Sequence, residues 1–326
     1  MDDYKTELLK QIENTKKQRA SAIADFLNIN KSDKERLTAF ENFGTFNEEE
    51  DVQKAQLILR DDKQNGKIRA AALEGLVNEV GVNEKLMDEV ISILNNEKPP
   101  IPLRSAALSV LQTTSFGSIV FPSKRPAYFN VLRKVVVEDN DLRAPAMEYL
   151  AMNNDAFIQK KLIDGLNEPK AAITKPEIAI QLLAYDLHAE HYPVLRKIAT
   201  NPPNLQSKKE ALRNLAADPD SKDLLWRTMQ NTKEDPETRH ACAVALENLN
   251  PGDIQVYAKK MILDPNENEE LKAAMLNTLT FSMDAGALND VDFKKKLDNV
   301  QKRVSSPGLR KMVADFKSSA EQRRAK

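Results

Sequence analysis

The chain is 326 residues long, 41% hydrophobic and 30% charged, with a formal net charge of −1. These values fit a folded, helix-rich chain, and the near-zero charge supplies no global field to gather nucleic acid or a membrane surface. No apolar run approaches the roughly 18 residues of a membrane span, and the N-terminal stretch has no signal-peptide core, so the cytoplasm is the default compartment; an exported form whose signal has been removed is the alternative.

Residues 4–28 predict one long helix with apolar points at Leu8, Leu9, Ile12, Ile23, Phe26 and Leu27. Its polar middle suits a terminal cap with one face in water. Ser32 stands three residues before Glu35, a capping-box spacing that starts a second helix. Helices over 48–60 and 67–80 follow as a pair. In the latter, Ala72, Leu73, Leu76 and Val80 fall on one stripe. The same reading pairs 83–96 with 101–114, 126–138 with 141–152, 154–166 with 174–187, and 190–200 with 204–217. It then pairs 219–231 with 235–249, 251–263 with 268–283, and 289–304 with 307–321. Most prolines fall at turns or first helical turns, where proline is tolerated. Pro145 is the exception and predicts a helix that starts near Asp141 or is distorted.

The second helix of each pair opens on a basic residue followed by small and large apolar ones. The basic column reads Arg36, Arg69, Arg104, Arg143, Lys175, Lys208, Arg239, Lys272 and Arg310, with spacings of 33, 35, 39, 32, 33, 31, 33 and 38 residues. Such a period marks a solenoid, whose units cannot bury their apolar faces alone. The phrases IRAAALEGL, LRSAALSVL and LKAAMLNTL resemble HEAT repeats over nearly the whole chain. The resemblance implies an all-α, right-handed α-solenoid of about nine helical hairpins forming one domain over 1–326. Residues 1–46 would be an N-terminal cap repeat, 47–288 the central repeats and 289–326 a basic C-terminal cap repeat. It also implies that the basic column is a structural ladder between repeats, with partners sought at Asp62, Glu97, Asp139, Glu168, Asn201, Asp235 and Asp264. The family consists mostly of binding scaffolds whose second helices line the concave face.

Function is less legible. The face at offset five from each basic residue reads Glu41, Glu74, Ser109, Glu148, Ile180, Arg213, Val244, Asn277 and Asp315. Glu41, Glu74, Glu148 and Arg213 are candidate partner-binding residues. The face is acidic in its first half, which argues against a phosphate backbone as ligand, and few aromatics are free to stack on bases. The longest interval between basic residues holds TTSFGSIVFPSKRPA over 113–127, where Phe116, Ile119, Val120 and Phe121 lack helical periodicity. They are read as a candidate docking loop, the alternative being a flap over neighbouring core.

Residues 294–326 carry eleven basic and three acidic side chains, so this end could guide an anionic partner; a solvated end cap is the plainer reading. His188 and His191 have the spacing of a metal pair at a turn, with Asp186 and Glu190 the nearest candidates for further ligands; a surface or capping role is the plainer reading. Cys242 sits at a core position and reads as a small buried hydrophobe. No nucleophile elbow, phosphate loop or paired-cysteine motif occurs. The expectation is therefore a non-enzymatic scaffold with no cofactor or metal, binding another protein or peptide. The alternatives are an accessory subunit or lyase of the HEAT-like class acting on a cofactor-bearing protein, and an anion or nucleic-acid binder using the basic C-terminal end.

Overall fold

The computed structural model describes residues 2–117, 121–186, 189–249, 251–282 and 290–324; the side chains of 2–6, 115–117, 189, 251, 281–282 and 319–324 lie outside that description. The described residues are all-helical, with nineteen α-helices, five short 3₁₀ turns and no strand. No described helix is long and apolar enough to cross a membrane. The chain divides into two compact units, Met1–Asn153 and Asn154–Lys326.

The first unit contains α1 (Asp2–Leu27), α2 (Asp33–Phe40), α3 (Glu49–Arg60), α4 (Gly66–Gly75), α5 (Val77–Val80), α6 (Glu84–Asn95), α7 (Ile101–Gly117), α8 (Arg125–Glu138) and α9 (Arg143–Met152). Helix starts follow side-chain chemistry. The capping box is present at α2: the Glu35 amide donates to Ser32 Oγ at 3.3 Å, and the Ser32 amide donates to Glu35 Oε2 at 2.9 Å. Asn65 and Asn83 cap α4 and α6 in the same way, each accepting a bond from a first-turn amide that has no intrahelical partner. The long helix expected over 67–80 is broken at Leu76 into α4 and α5. Pro145 falls in the first turn of α9, where its missing N–H costs nothing.

Consecutive helices pack in pairs: α1 on α2, α3 on α4, α6 on α7 and α8 on α9. The second helices also pack on one another, α2 on α4 and α4 on α7, and so do α1 on α3 and α6 on α8 among the first helices. The core at the N-terminal end is aromatic. Phe26, Phe40, Phe43 and Phe46 have ring centroids 5.0–5.9 Å apart. Gly75 lets α4 approach this cluster, since a Cβ there would lie 2.5 Å from the Phe46 ring.

The second unit contains α10 (Ala156–Asn167), α11 (Pro176–Leu183), α12 (Tyr192–Thr200), α13 (Leu205–Asn214), α14 (Lys222–Gln230), α15 (Pro236–Leu249), α16 (Pro251–Leu263), α17 (Glu269–Ser282), α18 (Val291–Arg303) and α19 (Pro307–Arg324). Proline opens α11, α15, α16 and α19, as its fixed φ and lost N–H favour. The second helices pack in series, α11 on α13, α13 on α15, α15 on α17 and α17 on α19. They enclose an apolar core that includes Ile180, Leu195, Leu212, Leu246, Leu276 and Val313. Cys242 is fully buried in that core, and burial pushes its thiol up to about 12.

Candidate functional site

The basic column acquires a common geometry. Arg36, Arg69, Arg104, Lys208, Arg239, Lys272 and Arg310 are each the fourth residue of their helix. From that position the side chain reaches back across the turn to the end of the preceding helix. Arg36 Nε donates to the Phe26 carbonyl at 2.8 Å, Arg69 Nε to Leu59 at 2.9 Å, Arg104 Nη2 to Leu94 at 3.4 Å and Arg239 Nε to Met229 at 2.7 Å. In all four the acceptor is the penultimate residue of the first helix. Its carbonyl has no intrahelical donor and lies at the negative end of the helix dipole, so a cation is favoured there. Arg143 and Arg310 make related bonds, to Val136 and Val137 and to Val304 and Ser305.

Several of these cations also reach forward to the next hairpin. Arg36 Nη1 donates to Gln64 Oε1 at 2.8 Å, and Lys208 Nζ to Glu234 Oε1 at 2.6 Å. Arg239 grips Glu267 in a two-pronged pair at 2.7 and 2.6 Å, with both side chains under a tenth exposed. Arg104 Nη1 lies 2.6 Å from Asp139 Oδ2, an ion contact without hydrogen-bond alignment. Of the partners sought in the sequence, Asp139 is the one placed against its column cation. Gln64, Glu234 and Glu267 stand where Asp62, Asp235 and Asp264 were sought, while Asp235 instead lies 3.4 Å from Lys209. Burial works to raise the Asp139 carboxyl, but amide bonds from Leu142 and Asp141 and the Arg104 charge outweigh it and hold it below its ordinary value.

Lys175 does not belong to this set. It is the exposed N-cap of α11, and its side chain makes no hydrogen bond or ion pair among the described residues. The fourth residue of α11 is Ala179. A signal for this was present in the chain: PETR and PGLR place arginine three residues after an opening proline, and PEIA places alanine there. The same four-residue offset explains Ile180, which was sampled as a groove residue and is fully buried. Lys272 is buried beside Glu269, whose carboxyl is lowered chiefly by the amides of Ser305 and Ser306.

The other residues of the offset-five face are exposed. In the first unit Glu41, Glu74, Ser109 and Glu148 occupy α2 or its C-cap, α4, α7 and α9. α2, α4 and α7 pack in series, and Gln112 Nε2 of α7 donates to the Pro145 carbonyl of α9 at 3.3 Å. Glu74 keeps solvent access, yet the protein around it raises its carboxyl by desolvation. In the second unit Arg213 is exposed and bonded to Glu210 at 2.9 Å and Glu237 at 3.4 Å.

Of the candidate docking residues, Ile119, Val120 and the side chain of Phe116 lie outside the described residues. The stretch is helical through Gly117, as the end of α7. Phe121 is half-buried and lines a cavity of about 280 Å³ with Met87, Ile91 and Tyr128. His188 also lies outside the described residues. His191 is buried against the Tyr192 ring, with burial lowering its pKa against the opposing charges of Asp186 and Asp218. No group of metal-binding side chains occurs among the described residues. At the basic C-terminal end Lys296 pairs with Asp292 at 2.6 Å and Lys317 with Asp298. No protein-family model matches the chain, and no curated protein matches it.

Proposed function

We propose that the helix pairs are HEAT-type repeats and that the chain is a non-catalytic scaffold binding an extended basic segment of another protein. The observation that supports this reading is the exposure of three carboxylates in the first unit, Glu41 at the C-cap of α2, Glu74 in α4 and Glu148 in α9. Three exposed carboxylates, two of them on the packed helices α2 and α4, offer a track rather than a reaction centre. A basic peptide laid along it would gain complementary charge and speed of encounter. Glu74, where desolvation already strengthens electrostatic contacts, is the position at which a buried ammonium or guanidinium would count most.

The test is selection from a random peptide library against the whole chain and against Glu41→Lys/Glu74→Lys/Glu148→Lys. Lysine- or arginine-rich peptides retained by the parent and lost by the triple variant, with affinity falling as salt rises, are the expected result. Enrichment of peptides with no basic bias, or equal retention by both proteins, would overturn the reading.

A further inference from the structure

The alanine at position 179 has a structural result. In the hairpins of Arg36, Arg104 and Arg239 the guanidinium bridges the end of the first helix and the turn of the next hairpin. At α10–α11 that space is a cavity of about 420 Å³. Its walls come from those three places: Leu162 and Leu166 of α10, Pro176 and Ala179 of α11, and Ile198 and Pro202 from α12 and the turn after it. Gly165 sets the depth. The loop carrying Ala172 lies so close that a Cβ on Gly165 would come within 2.8 Å of the Ala172 Cα. The volume falls in the range of small-molecule sites, which are mostly apolar with a few placed polar groups.

The charged groups here are cations, beside the neutral Asn167, Thr174 and Asn201. Lys161 and Lys197 line the cavity, no carboxylate lines it, and neither ammonium has a carboxylate partner within ion-pair distance among the described residues. Lys160, one residue away, is paired with Asp164 at 2.9 Å, so the vacancy is particular to the two lining lysines. Lys161 rests over the Phe157 ring at 5.8 Å, which holds its stem near the cavity. An apolar wall beside two unneutralised ammonium groups suits a molecule with a hydrocarbon body and one anionic head.

We propose that this cavity is a binding site for a small amphipathic carboxylate, a short or medium-chain fatty acid or its like. The hydrocarbon takes the volume an arginine would fill, and the head group sits between Lys161 and Lys197. The site is independent of the acidic face assigned to peptides above.

The test uses octanoate, octanol and octylamine with the full chain, read by titration calorimetry and by amide exchange. A ligand of this size should bind with a dissociation constant on the order of 1 mM or tighter. Expected is 1:1 binding of octanoate with protection confined to 161–179 and 197–203, and octanol and octylamine weaker by about tenfold. Lys161→Glu/Lys197→Glu should reverse the order of octanoate and octylamine, while Lys161→Gln/Lys197→Gln should merely erase the preference. Ala179→Arg should restore the missing anchor, abolish octanoate binding and leave the melting temperature unchanged or raised. No saturable octanoate binding, binding indifferent to both lysine pairs, or protection elsewhere would overturn the proposal.

Discussion

At the scale of single residues, the anchoring cations differ in what they leave behind when removed. Arg69 gives one bond to a carbonyl on a partly exposed turn, and Arg69→Ala should cost about 1 kcal/mol. Arg239 holds the buried Glu267 carboxylate and the Met229 carbonyl together. Arg239→Ala strands that carboxylate and should cost about 3–5 kcal/mol, whereas Arg239→Met combined with Glu267→Met should recover most of the loss. Urea denaturation of the three variants distinguishes these outcomes. Asp139 adds a pH dependence. Because its folded-state pKa is depressed below 3.8, its contribution is full above that value and is lost as pH falls through the lower folded value. Asp139→Asn should therefore lower stability at pH 7 by about 1–3 kcal/mol. The gap to the parent should close as pH falls below 3.8 and through the folded-state value, as followed by thermal melts across that range.

At the scale of helices, the sequence read well wherever an apolar stripe and a cap agreed. α2 was legible from Ser32, Glu35 and the Arg36–Ala39–Phe40 run, and α15 from Pro236 and its alanines. It read poorly where pattern and cap disagreed. Aligning α11 on its nearest basic residue displaced the helix by one turn, because Lys175 is a cap and not an anchor. The break at Leu76 had no polar or proline signal at all; residues 67–80 carry an unbroken stripe, and tertiary packing of α5 on α6 and α7 decides the kink. The glycines inside helices were likewise silent until neighbours were known. Gly75→Ala should press a methyl into the Phe46 ring and cost about 1–3 kcal/mol through overpacking. If Phe46→Leu restores stability to the alanine variant, the ring is the obstacle, and a double-mutant cycle measures it.

For the whole molecule, helices that touch chiefly their neighbours in the chain make stability local. Leu73 is fully buried in α4 and contributes to the packing of α4 on α3 and α7. Leu73→Ala should cost about 2–5 kcal/mol. The loss should appear as faster amide exchange through α2 to α7, with α15 to α17 unchanged, since opening proceeds in contiguous units. Exchange accelerated equally throughout would show one cooperative body instead. The candidate peptide track was half legible from sequence, because exposure at a fixed helical offset follows from periodicity. The cavity was not, because it arises from a side chain that is missing from a column, and a missing side chain has no pattern of its own.

In four anchors the backward bond spans one interval: Arg36, Arg69, Arg104 and Arg239 all reach ten residues upstream, whereas Arg143 and Arg310 close shorter turns. The forward partners lie at varying distances, 28 residues on for Gln64 and Glu267 but 26 for Glu234, and Asp139 follows Arg104 at a longer interval still. Each hairpin is thus indexed to itself and only loosely to its successor. Lineages of this chain can accordingly gain or lose residues between hairpins without resetting any of them, while insertions inside the turns of those four hairpins should be purged. The record of its ancestry should be written in the linkers, with the ten-residue interval as the mark by which the hairpins that keep it can be aligned.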